Sequence, residues 1–550
     1  MVRIKSFFKE NRDALISGVI GILVFLLLFG FSAMDVTGYR LFSRGDPGAH
    51  YIGWRFFKDA AWQLKPGLMD NLNYPNKVSV IFTDSIPLLA VFFKIFRALI
   101  PETFNYFGIW ICFCFFMQGY MASKILRLRV KNRLIHWYGV LFFVLTPAFI
   151  KRAFWHTALT AHFMLLIALY LLLKEDDREN TGRKLIFWGI LGFLCGGIHL
   201  YFLGICGMVA VFAGLDVFLR RKGEKKALLI PFVFGIPGAV NTWILGAFDS
   251  GMAPGAPGFG YYSFNLNAFF NGYQWSRVLY LPMFQEAQTE GFAYLGLGML
   301  MILGISAIFL MIRCFYVKGV IKKIRPGIVL LFIVSLLFAA SNKGTFSERL
   351  LWFIDIDNMG KIKDFLEIFR SSGRFAWIDM YLLMAGGFYA LEKLDIFLDG
   401  RERIIWATLG ETAVFILALI QVIDIWPGLI YRAYDVRNTQ AFEDNLTDPY
   451  WYELADSGKY AHVCLMDKGK LREDELYALA FYAVDHHMTL NDFNFARALD
   501  YNTGDVARDY ADAHTDNMIY VFHIDSFEEA TDHEDMEVTL ADGMLVGVYY

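Results

Sequence analysis

The chain has 550 residues, of which 56% are hydrophobic, 17% aromatic and only 19% charged, with a formal net charge of -3. A soluble fold of this length could not hide so much apolar surface, so the composition predicts a polytopic membrane protein. The charge balance gives no basis for nucleic-acid binding, and the 6 cysteines show neither a disulfide framework nor a metal-type spacing.

The first apolar run, Ala14 to Met34, is too long for the core of a signal peptide and reads as a retained span. Arg3, Lys5, Lys9 and Arg12 precede it, which places the N-terminus in the cytoplasm and residues 35–103 outside. Within that loop, Gly45-Asp46-Pro47-Gly48-Ala49-His50 opens an amphipathic helix through Tyr51, Trp54, Phe57 and Trp62. Asp46 before Pro47 reads as an N-cap followed by a first helical residue, and also as an acid/base group facing a substrate at the membrane surface. Further on, Asp84-Ser85-Ile86-Pro87, itself a fair cap, begins an apolar run to Ile100. Were that run a span, Lys124, Arg127, Arg129, Lys131 and Arg133 would fall outside. A helix lying on the outer leaflet keeps them in the cytoplasm.

Further apolar runs fall near 104–123, 134–150, 160–173, 184–199, 201–219, 227–247, 292–312, 326–340, 375–392 and 404–424. The prediction is about eleven transmembrane helices. Basic connections such as Arg220-Arg221-Lys222 and Lys318 to Arg325 then all face the cytoplasm, and the unusual loops gather outside. The last stretch changes character. Ala461–Met466 and Met518–Ile524 read as buried strands, Glu473–His486 and Gly504–His514 as amphipathic helices, and Ala541-Asp542-Gly543 as a turn between two final strands. The expected organisation is a transmembrane module over 1–429 and a small, acidic, extracytoplasmic α/β domain over 430–550. Asn445-Leu446-Thr447 matches a glycosylation sequon.

Four groups of residues on the outer side carry candidate chemistry. Asp46 and Asp84 flank the surface helices of the first loop, with His50 one turn after Asp46. A carboxylate there suits removal of a proton from an attacking hydroxyl, provided burial raises its pKa. His156 and His162 follow Lys151-Arg152. Six residues apart, they do not share a helical face as an i, i+4 metal pair does, so no metal is assigned; the alternatives are hydrogen bonding to phosphate or sugar and the common case of a satisfied structural His at a helix end. Arg370-Ser371-Ser372-Gly373-Arg374 offers two guanidinium forks for a phosphate. The loop containing Tyr262, Asn265 and Glu290 has the aromatic faces, amides and acids that a sugar ring needs.

These pieces, in this order, resemble the GT-C superfamily of integral membrane glycosyltransferases. More closely they resemble an uncharacterised bacterial family of GT-C-like proteins. The resemblance rests on Gly45-Asp46-Pro47 with His50 and Trp54, Thr83-Asp84-Ser85-Ile86-Pro87, His156 and His162, Gly291-Phe292-Ala293-Tyr294-Leu295-Gly296, and Phe369-Arg370-Ser371-Ser372-Gly373-Arg374. It implies a GT-C-like fold, a polyprenyl-phosphate-linked sugar donor, an envelope glycan, lipid or protein acceptor, and transfer with inversion on the outer face. Asp46 matches the position of the essential first-loop acid; whether that acid serves as base, metal ligand or cap is not fixed by the match. The superfamily has metal-dependent and metal-independent members, and this chain lacks a clear Asp-X-Asp in the first loop, so no cofactor is assigned and a divalent ion stays open. The expected function is a membrane glycosyltransferase in the plasma membrane, with Asp46 as base, His50 or Asp84 orienting the acceptor, and Arg370 and Arg374 on the phosphate. The alternative is a transporter or flippase of a lipid-linked precursor, for which charged groups at mid-membrane depth and internal repeats would speak.

Overall fold

The computed structural model describes residues 8–174, 181–221, 224–253, 255–316, 325–399, 403–439 and 446–549. Arg3, Lys5, Lys222, the bases between 318 and 324, and Asn445 of the sequon lie outside the described residues.

Helices lie on every one of the apolar runs. In chain order they are α1 (Arg12–Phe29), α2 (Gly45–Asp59), α3 (Pro87–Ile95), α4 (Phe107–Leu126), α5 (Arg133–Val144), α6 (Pro147–Trp155), α7 (Phe163–Leu173) and α8 (Thr181–Ile198). After these come α9 (Leu200–Arg220), α10 (Ile230–Ile244), α11 (Leu297–Tyr316), α12 (Pro326–Ala340), α13 (Lys361–Glu367), α14 (Ala376–Asp399) and α15 (Arg403–Asn438). Among the described residues, 7 helical stretches, with α5 and α6 joined as one, are long and apolar enough to cross a membrane. The protein is therefore a multi-pass membrane protein. Exposed Leu23 and Leu27 on α1, Phe232 and Ile236 on α10, and Ile308 and Met311 on α11 form the apolar outer surface such a bundle presents to lipid. Where α1 crosses α4, a Cβ on Gly21 or Gly119 would collide with the backbone of the other helix, so only glycine permits this approach.

The first loop holds the elements that frame the site. α2 begins at Gly45, with Arg44 as its N-cap and no side-chain cap bond, so Asp46 sits in the first turn and the N-cap reading of it is wrong. The helix also stops at Asp59, which leaves Trp62 beyond it. Residues Gly48–Lys58 are buried, because α2 is packed on both faces rather than floating on lipid. Tyr51 Oη donates to Thr103 O at 2.9 Å and Trp54 Nε1 to Phe104 O at 2.7 Å. α3 has 9 residues, which at 1.5 Å each rise only about 14 Å, too little to cross a bilayer core.

Two short hairpins lie in the loops, β1 (Leu68–Met69) with β2 (Val78–Ser79) and β3 (Lys343–Phe346) with β4 (Arg349–Phe353). The C-terminal region adds α16 (Pro449–Asp456), α17 (Glu473–Asp485) and α18 (Thr503–Asp512) around a five-stranded sheet. Its strands are β5 (His462–Leu465), β6 (Thr489–Leu490), β7 (Met518–His523), β8 (Glu537–Ala541) and β9 (Met544–Val548), in the order β6-β5-β7-β9-β8. β5 runs parallel to β6 and β7, and β9 antiparallel to β7 and β8. Asp542 and Gly543, at φ 46 and 81, supply the left-handed pair that a tight hairpin needs. The sheet region packs onto the first loop. Leu490 bridges Leu72, Arg55 pairs with Asp485 at 2.8 Å, the Ala496 N–H donates to Phe82 O at 2.8 Å, and Tyr477 Oη donates to Gly45 O at 2.8 Å. The C-terminal region thereby roofs the entry to α2.

Candidate functional site

Two cavities meet at Asp46. The larger, about 700 Å³, is lined by Asp46, His50, Asp84, His156, His199, Arg370 and Arg374, with Lys468, Tyr477 and Arg497 contributed by the C-terminal region. The second, about 670 Å³, is walled by Phe25, Phe29, Ile111, Phe154 and Trp155 at the ends of α1, α4 and α6, with Arg40 and Arg44 at its rim. Asp46 borders both. The first cavity is the more polar; the second has an aromatic wall but also takes Asp435, Asn438 and Thr439 into its lining, and the Asp46 carboxylate stands where the two join.

The Asp46 side chain makes no hydrogen bond or ion pair among the described residues. Its surface is open to the cavities, yet protein surrounds it, and its pKa is raised to about 6. Burial is the main cause, helped by the negative charges of Asp84 and Glu290 and opposed by Arg152 and Arg374. The side chains of Arg40 and Arg44 likewise make no hydrogen bond or ion pair among the described residues.

Asp84 is presented by an unusual backbone. It lies in the left-handed region at φ 51, and Ile86 two residues on does so at φ 53, a conformation that a β-branched residue rarely adopts. The surrounding bonds over-determine it: Ser85 Oγ donates to His50 O at 2.7 Å, and Tyr106 Oη donates to Ser85 O. Such strain is typical of sites where geometry is held for function. The N-cap of α3 is Ile86, so the capping role considered for Asp84 is not what it does. Its Oδ2 instead lies 3.4 Å from His156 Nε2 and its Oδ1 3.3 Å from His199 Nε2. The His50 ring is 4.8 Å from that of His156, and His50 Nδ1 bonds Thr157 Oγ1 at 2.7 Å. Burial holds all three imidazoles neutral, with His50 and His199 pushed down to about 3 and His156 well below its ordinary value. One ligand atom from each of His50, Asp84 and His156 lies within 4.8 Å of the others, which makes them the residues that could hold a metal ion.

A second charged cluster stands beside the first. Glu290 Oε2 accepts from Arg152 at 3.0 Å and from Arg374 at 2.6 Å. Burial alone would raise the Glu290 pKa, but Arg152 and Arg374 outweigh it and hold the carboxyl well below the usual range. Arg374 also lies over the Tyr201 ring at 4.4 Å, and the Ser371 N–H donates to Tyr201 Oη at 2.8 Å. Arg370 makes no ion pair among the described residues, stacks over Tyr262 at 5.5 Å and faces the polar cavity.

Of the residues the sequence singled out, Asp46, His50, Asp84, His156, Arg370 and Arg374 come together on the polar cavity. The others do not line it. His162 is buried away from it, bonded through Nδ1 to Tyr381 Oη at 2.9 Å and packed on Trp377, because the helical turn between the two histidines sends them to different sides. Asn265 is a loop anchor, donating to Gln288 Oε1 and Ser347 O. Tyr262 lies behind Arg370, and Glu290 is a partly exposed counter-ion to Arg152 and Arg374. The spacing argument against a metal considered the wrong pair, since the partner of His156 is His50 from the first loop. His199 was missed as well. Its only trace in the sequence is a lone polar residue between two apolar runs, and Arg40 and Arg44 appear only as two bases just ahead of Gly45-Asp46-Pro47.

Residues 18–426 match the model of a family described as a domain of unknown function, DUF6311, and residues 450–549 match the DUF6311 C-terminal domain. The chain belongs to the DUF6311 family. No curated protein matches it. Among solved structures, this DUF6311 chain is similar to ArnT from Cupriavidus metallidurans in the apo state, at 10% identity and a TM-score of 0.48, with 95% of this chain and 97% of that one covered. ArnT bound to undecaprenyl phosphate matches at 11% identity and 0.46, covering 95% and 97%. The apo oligosaccharyltransferase of Archaeoglobus fulgidus matches at 12% and 0.45, covering 93% of this chain and 70% of that one. These neighbours are GT-C enzymes, the group the sequence resembles. At TM-scores below 0.5 the likeness is distant.

Proposed function

We propose that the protein is a membrane glycosyltransferase that moves a sugar from a polyprenyl-phosphate carrier to a hydroxyl of a cell-envelope acceptor, on the outer face of the plasma membrane. The observation that carries this reading is the place of Asp46, unpaired and with a raised pKa, at the junction of a cavity with an aromatic wall and a more polar one. The aromatic-walled cavity, at the level of the helix ends, suits an isoprenoid chain. Arg40 and Arg44 at its rim would hold the carrier phosphate and stabilise the charge that builds on it as it leaves. The polar cavity would take the acceptor, with Arg370 and Arg374 on its wall. We place the phosphate on Arg40 and Arg44 rather than on Arg370 and Arg374 because Arg374 shares Glu290 with Arg152 and Arg370 stacks on Tyr262, while the side chains of the two first-loop arginines make no bond or ion pair among the described residues.

In the reaction, Asp46 takes the proton of the acceptor hydroxyl as its oxygen bonds to the anomeric carbon. The bond from that carbon to the carrier-phosphate oxygen breaks on the opposite side, so configuration inverts. A carboxylate with a pKa near 6 is ionised at neutral pH and is a stronger base than an ordinary Asp.

The test is a transfer assay in detergent with a pool of polyprenyl-phosphate sugars and envelope acceptors, run on wild type beside Asp46→Asn. Loss of about 100- to 10,000-fold in transfer, with the carrier still bound, is the expected result. Full transfer by a folded Asp46→Asn would exclude the base assignment.

A further inference from the structure

We propose that His50, Asp84 and His156 form a binding site for one divalent transition-metal ion of the zinc class, set in the wall of the polar cavity. Their ligand atoms lie within 4.8 Å of one another. An ion with tetrahedral bonds of about 2.0–2.1 Å holds its ligand atoms roughly 3.4 Å apart. Asp84 Oδ2 and His156 Nε2 already stand at 3.4 Å, so only the His50 ring has to draw in. The distance is also telling for what it is not. A charge-assisted N–H···O⁻ bond closes to about 2.7–2.9 Å, and neither histidine beside Asp84 does so.

The hydrogen bonds fix which nitrogens are available. His50 Nδ1 is engaged with Thr157 Oγ1 at 2.7 Å, which leaves Nε2 as the ligand and supplies the outer partner that metal-bound imidazoles usually have. His199 plays a different part. Its Nδ1 accepts the Tyr201 N–H at 3.1 Å, so its proton sits on Nε2, 3.3 Å from Asp84 Oδ1. It is a positioning residue that orients the carboxylate, while the other oxygen, Oδ2, is left for the ion. For His156, the Leu159 N–H reaches Nδ1 at 3.4 Å, a bond weak enough to yield when Nε2 coordinates.

Two imidazoles and one carboxylate suit zinc, cobalt or manganese rather than magnesium or calcium, which need oxygen-rich shells. Three protein ligands beside a cavity leave a position open, the arrangement of a catalytic rather than a structural ion. The strained backbone at Asp84 and Ile86 then has a purpose, since it fixes one ligand in place before the ion arrives. Asp46 stays outside the ligand set.

The site stands independently of glycosyl transfer, and its test reads metal directly. The full chain, purified in detergent without chelator, is analysed for metal by mass spectrometry, then stripped and titrated with Zn²⁺ and with Co²⁺. We expect one equivalent per chain and Co²⁺ absorption bands in the visible. His156→Gln and Asp84→Asn should each weaken binding at least 100-fold and abolish the bands. His199→Gln should keep the stoichiometry and weaken binding about tenfold, the size of an outer-sphere effect. Should His156→Gln not fold, His50→Gln gives the same readout. Absence of Zn²⁺ and Co²⁺ binding by the folded chain, or binding unchanged in the folded His50→Gln/His156→Gln variant, overturns the proposal. Asp46→Asn is expected to bind metal as wild type does, so a failure of the transfer reading and a failure of the metal site give different results.

Discussion

Two charged clusters stand side by side on this site, and they are built in opposite ways. Arg152, Glu290 and Arg374 close on one another at 2.6 to 3.0 Å, with Arg152 only 4% exposed. Around Asp84, by contrast, His156 and His199 keep 3.3 to 3.4 Å, and the nearby Asp46 touches no partner among the described residues. The first cluster is satisfied and the second is not. Charged residues whose bonds are complete hold the loops together, and those whose bonds are incomplete are left to meet a ligand. A density of arginines therefore marks the frame here, and the open valences mark the chemistry.

The sharpest way to break this contrast is to remove one carboxylate from each side. Asp46→Asn should lower transfer by about 100- to 10,000-fold while leaving expression and folding intact. Glu290→Gln should do the reverse in kind. It leaves two guanidiniums without a counter-ion, at a cost of about 3 kcal/mol, the low end for a broken buried pair because Glu290 keeps some exposure. That loss would appear as a lower melting temperature and poor recovery from detergent. A Glu290→Gln protein as stable as wild type, with only its transfer rate reduced, would put Glu290 among the substrate ligands after all.

The same contrast explains what could be read in the sequence. Apolar runs, the tight turn at Asp542-Gly543 and four strands of the C-terminal sheet follow from local periodicity and turn chemistry and appear where expected, whereas the two-residue β6 is too short to leave a periodic signal. Gly45-Asp46-Pro47 and Asp84-Ser85-Ile86-Pro87 were legible as special because their composition is unusual for a membrane loop. What they do was not, since Asp46 as a cap and Asp46 as a free acid have the same letters. The partners were less legible still: His50 meets His156 from a different helix far along the chain, and Arg374 meets Glu290 across α11, α12, the β3–β4 hairpin and α13. Helical spacing can exclude a pair on one helix, as it did for His156 and His162, but says nothing of pairs assembled by the fold.

A smaller effect tests the division between the two cavities. Arg40→Ala/Arg44→Ala should weaken binding of the polyprenyl-phosphate carrier by about tenfold or more per lost charge-assisted bond, measured by titration in detergent. Arg370→Ala should leave carrier affinity within about twofold and raise KM for the acceptor instead, because its guanidinium faces the polar cavity. If the two results were exchanged, the carrier and acceptor would have to trade cavities, and Asp46 would still lie between them.

The smallest effect is in pH dependence, and its sign is fixed by the direction of each shift. The folded pKa of Asp46, about 6, lies above its ordinary value of 3.8, so its contribution to stability is present below 3.8 and is lost as pH rises through 6. Asp46→Asn escapes that loss, and its melting temperature relative to wild type should climb between pH 4 and 7. The neighbouring histidines act the other way. His50 and His199, held near 3, favour the folded state above their ordinary 6.5 and withdraw that support as pH falls. Both proteins carry those histidines, so the difference between the two melting curves isolates the carboxylate. The wild-type transfer rate should rise with the same midpoint near 6, as the base ionises. A difference that stays flat from pH 4 to 7 would mean that Asp46 titrates like a surface acid, which the shelter of two cavities and the charges of Asp84 and Glu290 should not allow.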